Sequence, residues 1–309
     1  METVSSVPVF ARRNVAYAGA TLCCLLWGSS YPAIKSGYEL FAIATDDIPS
    51  KIVFAGYRFL FAGLLLMLFA MAQRKPIARL SPRQYGQIAF LGLTQTSIQY
   101  IFFYIGLAFT TGVKGSIMNA TGTFFSVLLA HLIYKNDRLS YNKSIGCVLG
   151  FAGVMLVNFN HSLLDFSFSM MGDGFVVLAA FILSASMLYG KRISQAVDPT
   201  VMTGWQLAFG GGVLVVGGYL TGGTLVLHSL TAAALLGYLT LLSSIAFALW
   251  SVLLKYNRVS MIAPFNFVIP VAGTVLSAIF LGENILEMKY AIALVLVCSG
   301  IWWVNKPRA

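Results

Sequence analysis

The chain has 309 residues, of which 58% are hydrophobic and only 10% charged, with a mean hydropathy of +0.82; soluble domains run at about 45–50% apolar and about 25% charged. That balance excludes a soluble globular domain, a disordered segment, a nucleic-acid module and a small disulfide scaffold. The net charge of +10, from 20 Lys and Arg against 10 Asp and Glu, is gathered in particular loops instead of forming a face for a polyanion.

A bilayer core of roughly 30 Å needs about 20 apolar residues per helix. Charged or Gly/Pro/Asn-rich breaks leave ten such segments, near 15–34, 51–72, 86–107, 113–133, 143–158, 173–190, 200–220, 231–254, 260–280 and 288–304. They predict an all-α integral membrane protein with ten transmembrane helices. The first segment follows Arg12 and Arg13 in the manner of a signal peptide, but its length and the nine spans after it mark it as retained. Lys and Arg beside the spans set the orientation. Arg12, Arg13, Arg74, Lys75, Arg79, Arg83, Lys135, Arg138, Lys143, Lys191, Arg192, Lys255, Arg258, Lys306 and Arg308 share one side, against Lys35, Lys51 and Lys289 on the other. Both termini are therefore expected in the cytoplasm, in a multi-pass protein of the plasma (bacterial inner) membrane. Cys23, Cys24, Cys147 and Cys298 lie in apolar runs, and His131, His161 and His228 have no metal-ligand spacing, so no cofactor or metal is expected.

A shift of 147 positions brings related segments into register. Thr96-Ser97-Ile98 falls on Ser243-Ser244-Ile245, Asn119 falls on Asn266, and Gly153-Val154, Val157 and Asn158 fall on Gly300-Ile301, Val304 and Asn305. The division is a tail at 1–14, a five-span unit at 15–158, a second at 159–305 and a tail at 306–309. Five is odd, so the second unit enters the membrane from the opposite side and the two repeats are inverted. Inverted repeats are common in secondary transporters, whose site lies near the midplane between the halves.

With ten spans in two halves, Trp27-Gly28-Ser29-Ser30 in the first span, Arg58 in the second, Gly282-Glu283 closing the ninth and glycine-ended fifth and tenth spans, the chain resembles the EamA-like branch of the drug/metabolite transporter superfamily. The likeness covers about 15–305. Two departures stand out: Asn136-Asp137 occupies the place of a typical Gly-Glu pair, and the first half lacks a counterpart of Pro270. The resemblance implies export or exchange of small metabolites such as amino acids, with a small-molecule substrate and membrane lipid as partners, no nucleic acid, and a monomer or homodimer.

An ionisable group within hydrocarbon costs several kcal/mol unless paired or hydrated, which makes it a functional candidate. Arg58 lies seven residues after Lys51, or about 10 Å from the outer end; it either serves the substrate or pairs structurally, for instance with Glu39. Lys114 opens the fourth span, where it can instead snorkel to the headgroups. Asn119 and Asn266 stand six residues into spans that begin on opposite sides, at mirror depths of roughly 9 Å; they bind substrate or satisfy the backbone of broken helices. Trp27 and Tyr31 share a helix face. Thr96, Tyr100 and Tyr104 form one stripe and Gln95 and Gln99 another, while Trp250 matches Phe103 in the repeat and Trp205-Gln206 nearly matches Tyr57-Arg58, one residue out of frame. Rings with a few amides suit a mostly apolar pocket, although such stripes also serve as packing.

Every Asp and Glu falls in a loop or at a span end, so a buried carboxylate relay has no seat and facilitated diffusion or exchange is favoured over proton coupling. Walker, G-x-S-x-G and H-E-x-x-H motifs are absent, which disfavours nucleotide hydrolysis and an intramembrane hydrolase. The sequence thus predicts an alternating-access carrier for amino-acid-like or other carboxylate-bearing solutes. The rivals are a nucleotide-sugar or phosphate-ester exchanger, which needs several converging cations, an intramembrane enzyme and a channel.

Overall fold

The computed structural model describes residues 8–110, 112–157, 168–281 and 288–306. Its helices are α1 Arg13–Leu40, α2 Ile48–Ala72, α3 Pro82–Gly92, α4 Gln99–Ala108, α5 Gly112–Ala120, α6 Gly122–Ile133, α7 Tyr141–Val157, α8 Phe175–Ile193, α9 Pro199–Leu220, α10 Leu230–Tyr256, α11 Val259–Ile262, α12 Val268–Leu281 and α13 Met288–Val304. No strand occurs among the described residues. Helical starts carry capping chemistry. Asp47 accepts from Ser50 N before α2, Ser81 and Gln84 form a reciprocal capping box around Pro82, Asp198 accepts from Thr200 N and Val201 N before Pro199, and Ser229 caps α10.

These helices occupy each of the ten stretches singled out from the sequence. Five runs are long and apolar enough to cross a bilayer: Ile48–Ala72, Pro82–Ala108, Met170–Ile193, Pro199–Leu220 and Leu230–Tyr256, with shorter apolar helices at Ile117–Ile133, Val259–Gly273 and Ala291–Val304. Large apolar side chains such as Leu68, Val148, Leu220 and Phe280 are exposed. Only lipid accommodates such a surface without aggregation, and the protein is a multi-pass membrane protein. The first helix runs two turns beyond its expected end. Pro32 lies inside it, and Ser29 and Ser30 hydroxyls donate to the carbonyls of Leu26 and Trp27 around the weakened ladder. The Gly282-Glu283 motif and Asn158 lie outside the described residues.

The third stretch is one continuous helix with a π segment, Leu93–Ile98, between α3 and α4. The fourth and ninth are broken. Thr121 separates α5 from α6, and a 3-10 segment, Ala263–Phe267, separates α11 from α12, where Pro264 removes a ladder donor.

Packing divides the molecule into two trios and two pairs. One trio is α1 with α10 and α11–α12; the other is α8 with α3–α4 and α5–α6. The pairs are α2 with α9 and α7 with α13, and in both the backbones approach closely through glycine. A Cβ on Gly63 would stand 2.2 Å from Ala208 N and 2.5 Å from Gly204 O, and one on Gly211 would stand 2.3 Å from Leu60 N and 2.8 Å from Gly56 O. In the second pair Gly153 packs on Ala293 and Val297, and Gly300 packs on Gly146 and Gly150. Small residues of this kind let membrane helices reach van der Waals contact over long stretches.

Candidate functional site

Where the two trios meet against α2, the side chains are aromatic. Rings follow one another from Trp250 to Trp27 at 5.1 Å, Trp27 to Phe247 at 5.4 Å, Phe247 to Phe59 at 5.9 Å, Phe59 to Tyr100 at 4.7 Å and Tyr100 to Tyr104 at 6.0 Å. All lie within the range of favourable ring pairs. The series starts on α1 and α10, crosses α2 at Phe59 and ends on α4, so it spans the seam. Glycine brings α12 into it: Gly28 abuts Ala272 and Gly273, and Gly273 lies against the Tyr31 ring. Tyr31 keeps 40% of its surface accessible.

Arg58 enters this seam from α2 and is only 3% exposed. Its Nε donates to Ser243 Oγ on α10 at 2.6 Å, and its guanidinium lies 5.1 Å from the Phe59 ring centre. Tyr38, Tyr100 and Tyr104 are within its electrostatic reach, and Tyr38 and Tyr104 adjoin each other. No carboxylate pairs with Arg58 among the described residues; the ion pairs there are Lys75–Asp198 and Lys143–Asp137. The pairing with Glu39 considered from the sequence is not formed. A buried guanidinium presents five donors in a planar fork, and Ser243 takes one.

Three further candidates hold polar atoms that are buried without a hydrogen-bond partner among the described residues: Gln99 Oε1, Trp250 Nε1 and Asn266 Oδ1. Buried polar atoms are normally satisfied, so these three stand out among the candidates. Asn266 sits in the 3-10 break of the ninth stretch, and Asn119 precedes the Thr121 break of the fourth. Asn266 adjoins the packing of Trp27 and Trp250 through Phe265, Val268 and Ile269.

The structure therefore brings together Trp27, Tyr31, Arg58, Tyr100 and Trp250. Gln95 is set apart: it is buried and its Oε1 faces Gly190 of α8. Asn119 is half-buried at the end of α5, away from the ring series. Lys114 belongs to α5, and its side chain lies outside the described residues. Sequence reasoning left out Tyr38, Phe59, Phe247 and Ser243, and named Tyr104 only as part of the Tyr100 stripe. Tyr38 is seven residues from Tyr31 on the same face, Tyr104 belongs to the Tyr100 stripe, and Ser243 is the counterpart of Thr96; the signals were present but not separable from packing.

A recess of about 450 Å³ lies elsewhere, between Phe124, Val148, Phe151, Ala152, Met155 and Leu156. It is apolar throughout and offers no orienting group.

The EamA-like transporter family matches residues 14–159 and again residues 170–306. The chain belongs to that family. Like its other members it is a membrane transporter and not an enzyme. An uncharacterized transporter of Archaeoglobus fulgidus is 26% identical over 91% of this chain and 94% of its own length. A protein of Salmonella typhimurium described as a "Probable amino-acid metabolite efflux pump" is 26% identical over 92% of both. A solved crystal structure with 17% identity superposes with a TM-score of 0.79 over 94% of this chain and 96% of that one, a likeness of fold.

Proposed function

We propose that this EamA-like transporter moves small carboxylate-bearing solutes, amino-acid-like ones among them, by alternating access between two inverted five-helix halves, as an exporter or exchanger. The observation that carries the substrate class is Arg58: a guanidinium buried at the seam of the trios, without a carboxylate of the protein to pair with, in a wall of rings. A solute carboxylate can accept two parallel bonds from such a group. Unpaired Trp250 Nε1 adds a donor, and the amide oxygens of Gln99 and Asn266 add acceptors suited to a solute amine. The Salmonella relative's description as an amino-acid metabolite efflux pump agrees with this chemistry. The phosphate-ester reading calls for several cations, and among the described side chains Arg58 is the one that enters the ring series.

The inverted repeat is supported by reciprocal contacts. In the 147-residue frame Gly300 corresponds to Gly153, and Ala293 and Val297 correspond to Gly146 and Gly150, so the two glycine contacts between α7 and α13 are copies of one another. One residue further on, at 148, Gly204 and Gly211 correspond to Gly56 and Gly63, and each glycine again faces the other's counterpart. The two family matches agree with the same division. The two trios are the moving units in this reading, with the paired helices as their frame. A location in the plasma membrane with both ends cytoplasmic follows the distribution of Lys and Arg.

The test is a panel of carboxylates, amino acids, their amides and phosphate esters, scored by thermal stabilisation of the purified protein, since a ligand that binds the folded state raises its stability. Stabilisation by carboxylates and not by the corresponding amides is expected. Equal stabilisation by the amides, or by phosphate esters alone, rejects the substrate class.

A further inference from the structure

At the end of the bundle where Phe10 and Asn305 lie, polar contacts join one trio to the other. Asp137, in the turn after α6, is 2% exposed. Its Oδ2 accepts from Ser260 N on α11 at 3.0 Å, and its Oδ1 accepts from Ser260 Oγ and, at 2.8 Å, from Lys143 Nζ. Lys191, at the end of α8, donates through Nζ to the carbonyls of Leu254 and Asn257 at the end of α10. Gln195 Nε2 donates to Lys255 O at 3.3 Å. Apart from the Lys143 bond, which comes from α7, the donor and acceptor in each case belong to different trios. Asn257 Nδ2 donates to Phe10 O at 2.8 Å, and Arg13 Nη2 donates to Asn305 O, so both described termini are tied to the same end.

The opposite end is built differently. There Thr110 donates to Asp173 within the second trio, and Thr224 N donates to Ser50 Oγ on the α2 and α9 frame, while Ser29 pairs with Tyr238 within the first trio further along α1 and α10. Among the described residues, the hydrogen bonds between the trios are concentrated at the terminal end, while toward the opposite end Tyr38 of α1 and Tyr104 of α4 adjoin each other.

We infer that Asp137 and Ser260, seconded by Lys191 on the α10 carbonyls, form a latch that holds the terminal end of the seam shut and must part in each transport cycle. The inference rests on the alternating-access reading above. Charge-assisted bonds hold the latch, and each of these is worth more than a neutral one. A carboxylate leaving Ser260 N–H and hydroxyl keeps Lys143, its neighbour within the same half, so the charge is not stranded when the trios separate. This arrangement suits a contact that is made and broken. Asp137 occupies the place where the family pattern expects a Gly-Glu pair, and the contact gives that departure a use.

Pulsed electron-spin distance measurements on protein in phosphatidylethanolamine/phosphatidylglycerol nanodiscs test the latch. Cys298, the exposed cysteine, is first replaced. One spin-labelled pair, Arg138→Cys with Arg258→Cys, flanks the latch; a second, Glu39→Cys with Phe109→Cys, spans the opposite end. The parent protein is expected to show a dominant short 138–258 distance. Asp137→Asn is expected to raise the ratio of long to short distances about ten-fold or more, the equivalent of one charge-assisted bond, with a reciprocal shortening at 39–109. Ser260→Ala, which keeps the N–H bond, is expected to move the ratio the same way by about two- to ten-fold, and it decides the matter if Asp137→Asn does not fold. An unchanged 138–258 distribution in a folded variant overturns the latch. If the parent nevertheless exchanges between two reciprocal states when solute is added, alternating access survives that failure. Opening at 138–258 with no response at 39–109 leaves the latch standing and removes alternation.

Discussion

Arg58 and Ser243 are joined by a 2.6 Å hydrogen bond between α2 and α10, and the other half of the molecule repeats the contact with Gln206 Nε2 donating to Thr96 Oγ1 at 2.9 Å. A second pair follows the same rule: Ser244 Oγ donates to Ala62 O at 3.2 Å, and Ser97 Oγ donates to Gly210 O at 2.9 Å. Within hydrocarbon these hydroxyls and carbonyls have no water to turn to, so each half satisfies the other. The difference between the copies is charge. One contact places a guanidinium on α2 and the other an amide on α9, so two matching contacts differ in charge.

The first prediction concerns that asymmetry. Arg58→Lys keeps the charge but loses the planar fork. Affinity for a carboxylate solute is expected to fall roughly ten- to a hundred-fold, the loss of a charge-assisted bond worth about 1.5–3 kcal/mol. Calorimetric titration of purified Arg58→Lys and Arg58→Gln decides it: a variant that melts earlier yet binds with unchanged affinity assigns Arg58 a structural part only.

Glycine contacts between α2 and α9 yield a second prediction. Gly63→Ala places a methyl against Ala208 N and Gly204 O, both backbone, so the helices must part. Overpacking of this kind costs about 1–3 kcal/mol, seen as a lower melting temperature in detergent. Gly212→Ala meets nothing within 4 Å and is expected to leave the melt unchanged or slightly raised; equal effects at the two positions reject the close-contact account.

Acid stability should depend on Asp137. Burial pushes its carboxyl up, but hydrogen bonds from Lys143 and Ser260 and the nearby Lys143 charge outweigh it, and the group is held below its ordinary value of 3.8. A carboxyl lowered in the folded state adds stability that is fully present above the unfolded value and lost as pH falls through the folded one. Melting temperatures are therefore expected to decline below about pH 4 in part through this group. Asp137→Asn should be less stable at neutral pH and show a shallower acid decline; an identical acid slope in both proteins excludes the contribution.

The orientation is open to labelling. His228, exposed between α9 and α10, and Tyr141, exposed at the start of α7, lie at opposite ends of the bundle. In intact cells expressing a protein without Cys298, a membrane-impermeant thiol reagent is expected to modify His228→Cys and spare Tyr141→Cys. The reverse pattern inverts the topology.

Membrane class, the ten apolar stretches and the frame of the internal match are all properties of the chain as a line. Hydropathy and charge sum over 20-residue windows, and burial in lipid rewards that sum whatever the helices touch. Aromatic stripes and lone polar residues also stand out in that line, which is why Trp27, Tyr31, Arg58, Tyr100 and Trp250 are legible in the sequence alone. What they meet depends on helix rotation and crossing, and here a single turn matters. Gln95 and Gln99 are four apart, yet the π segment Leu93–Ile98 ends between them; an i→i+5 turn changes the rotation that an ideal helix would give, and Gln95 faces Gly190 of α8. The Arg58–Ser243 bond spans 185 positions and the Asp137–Ser260 contact 123. Both depend on how the helices pack, and glycines bring the backbones of the α2–α9 and α7–α13 pairs within van der Waals reach, a fit on the scale of a single methyl group that no local pattern of residues encodes.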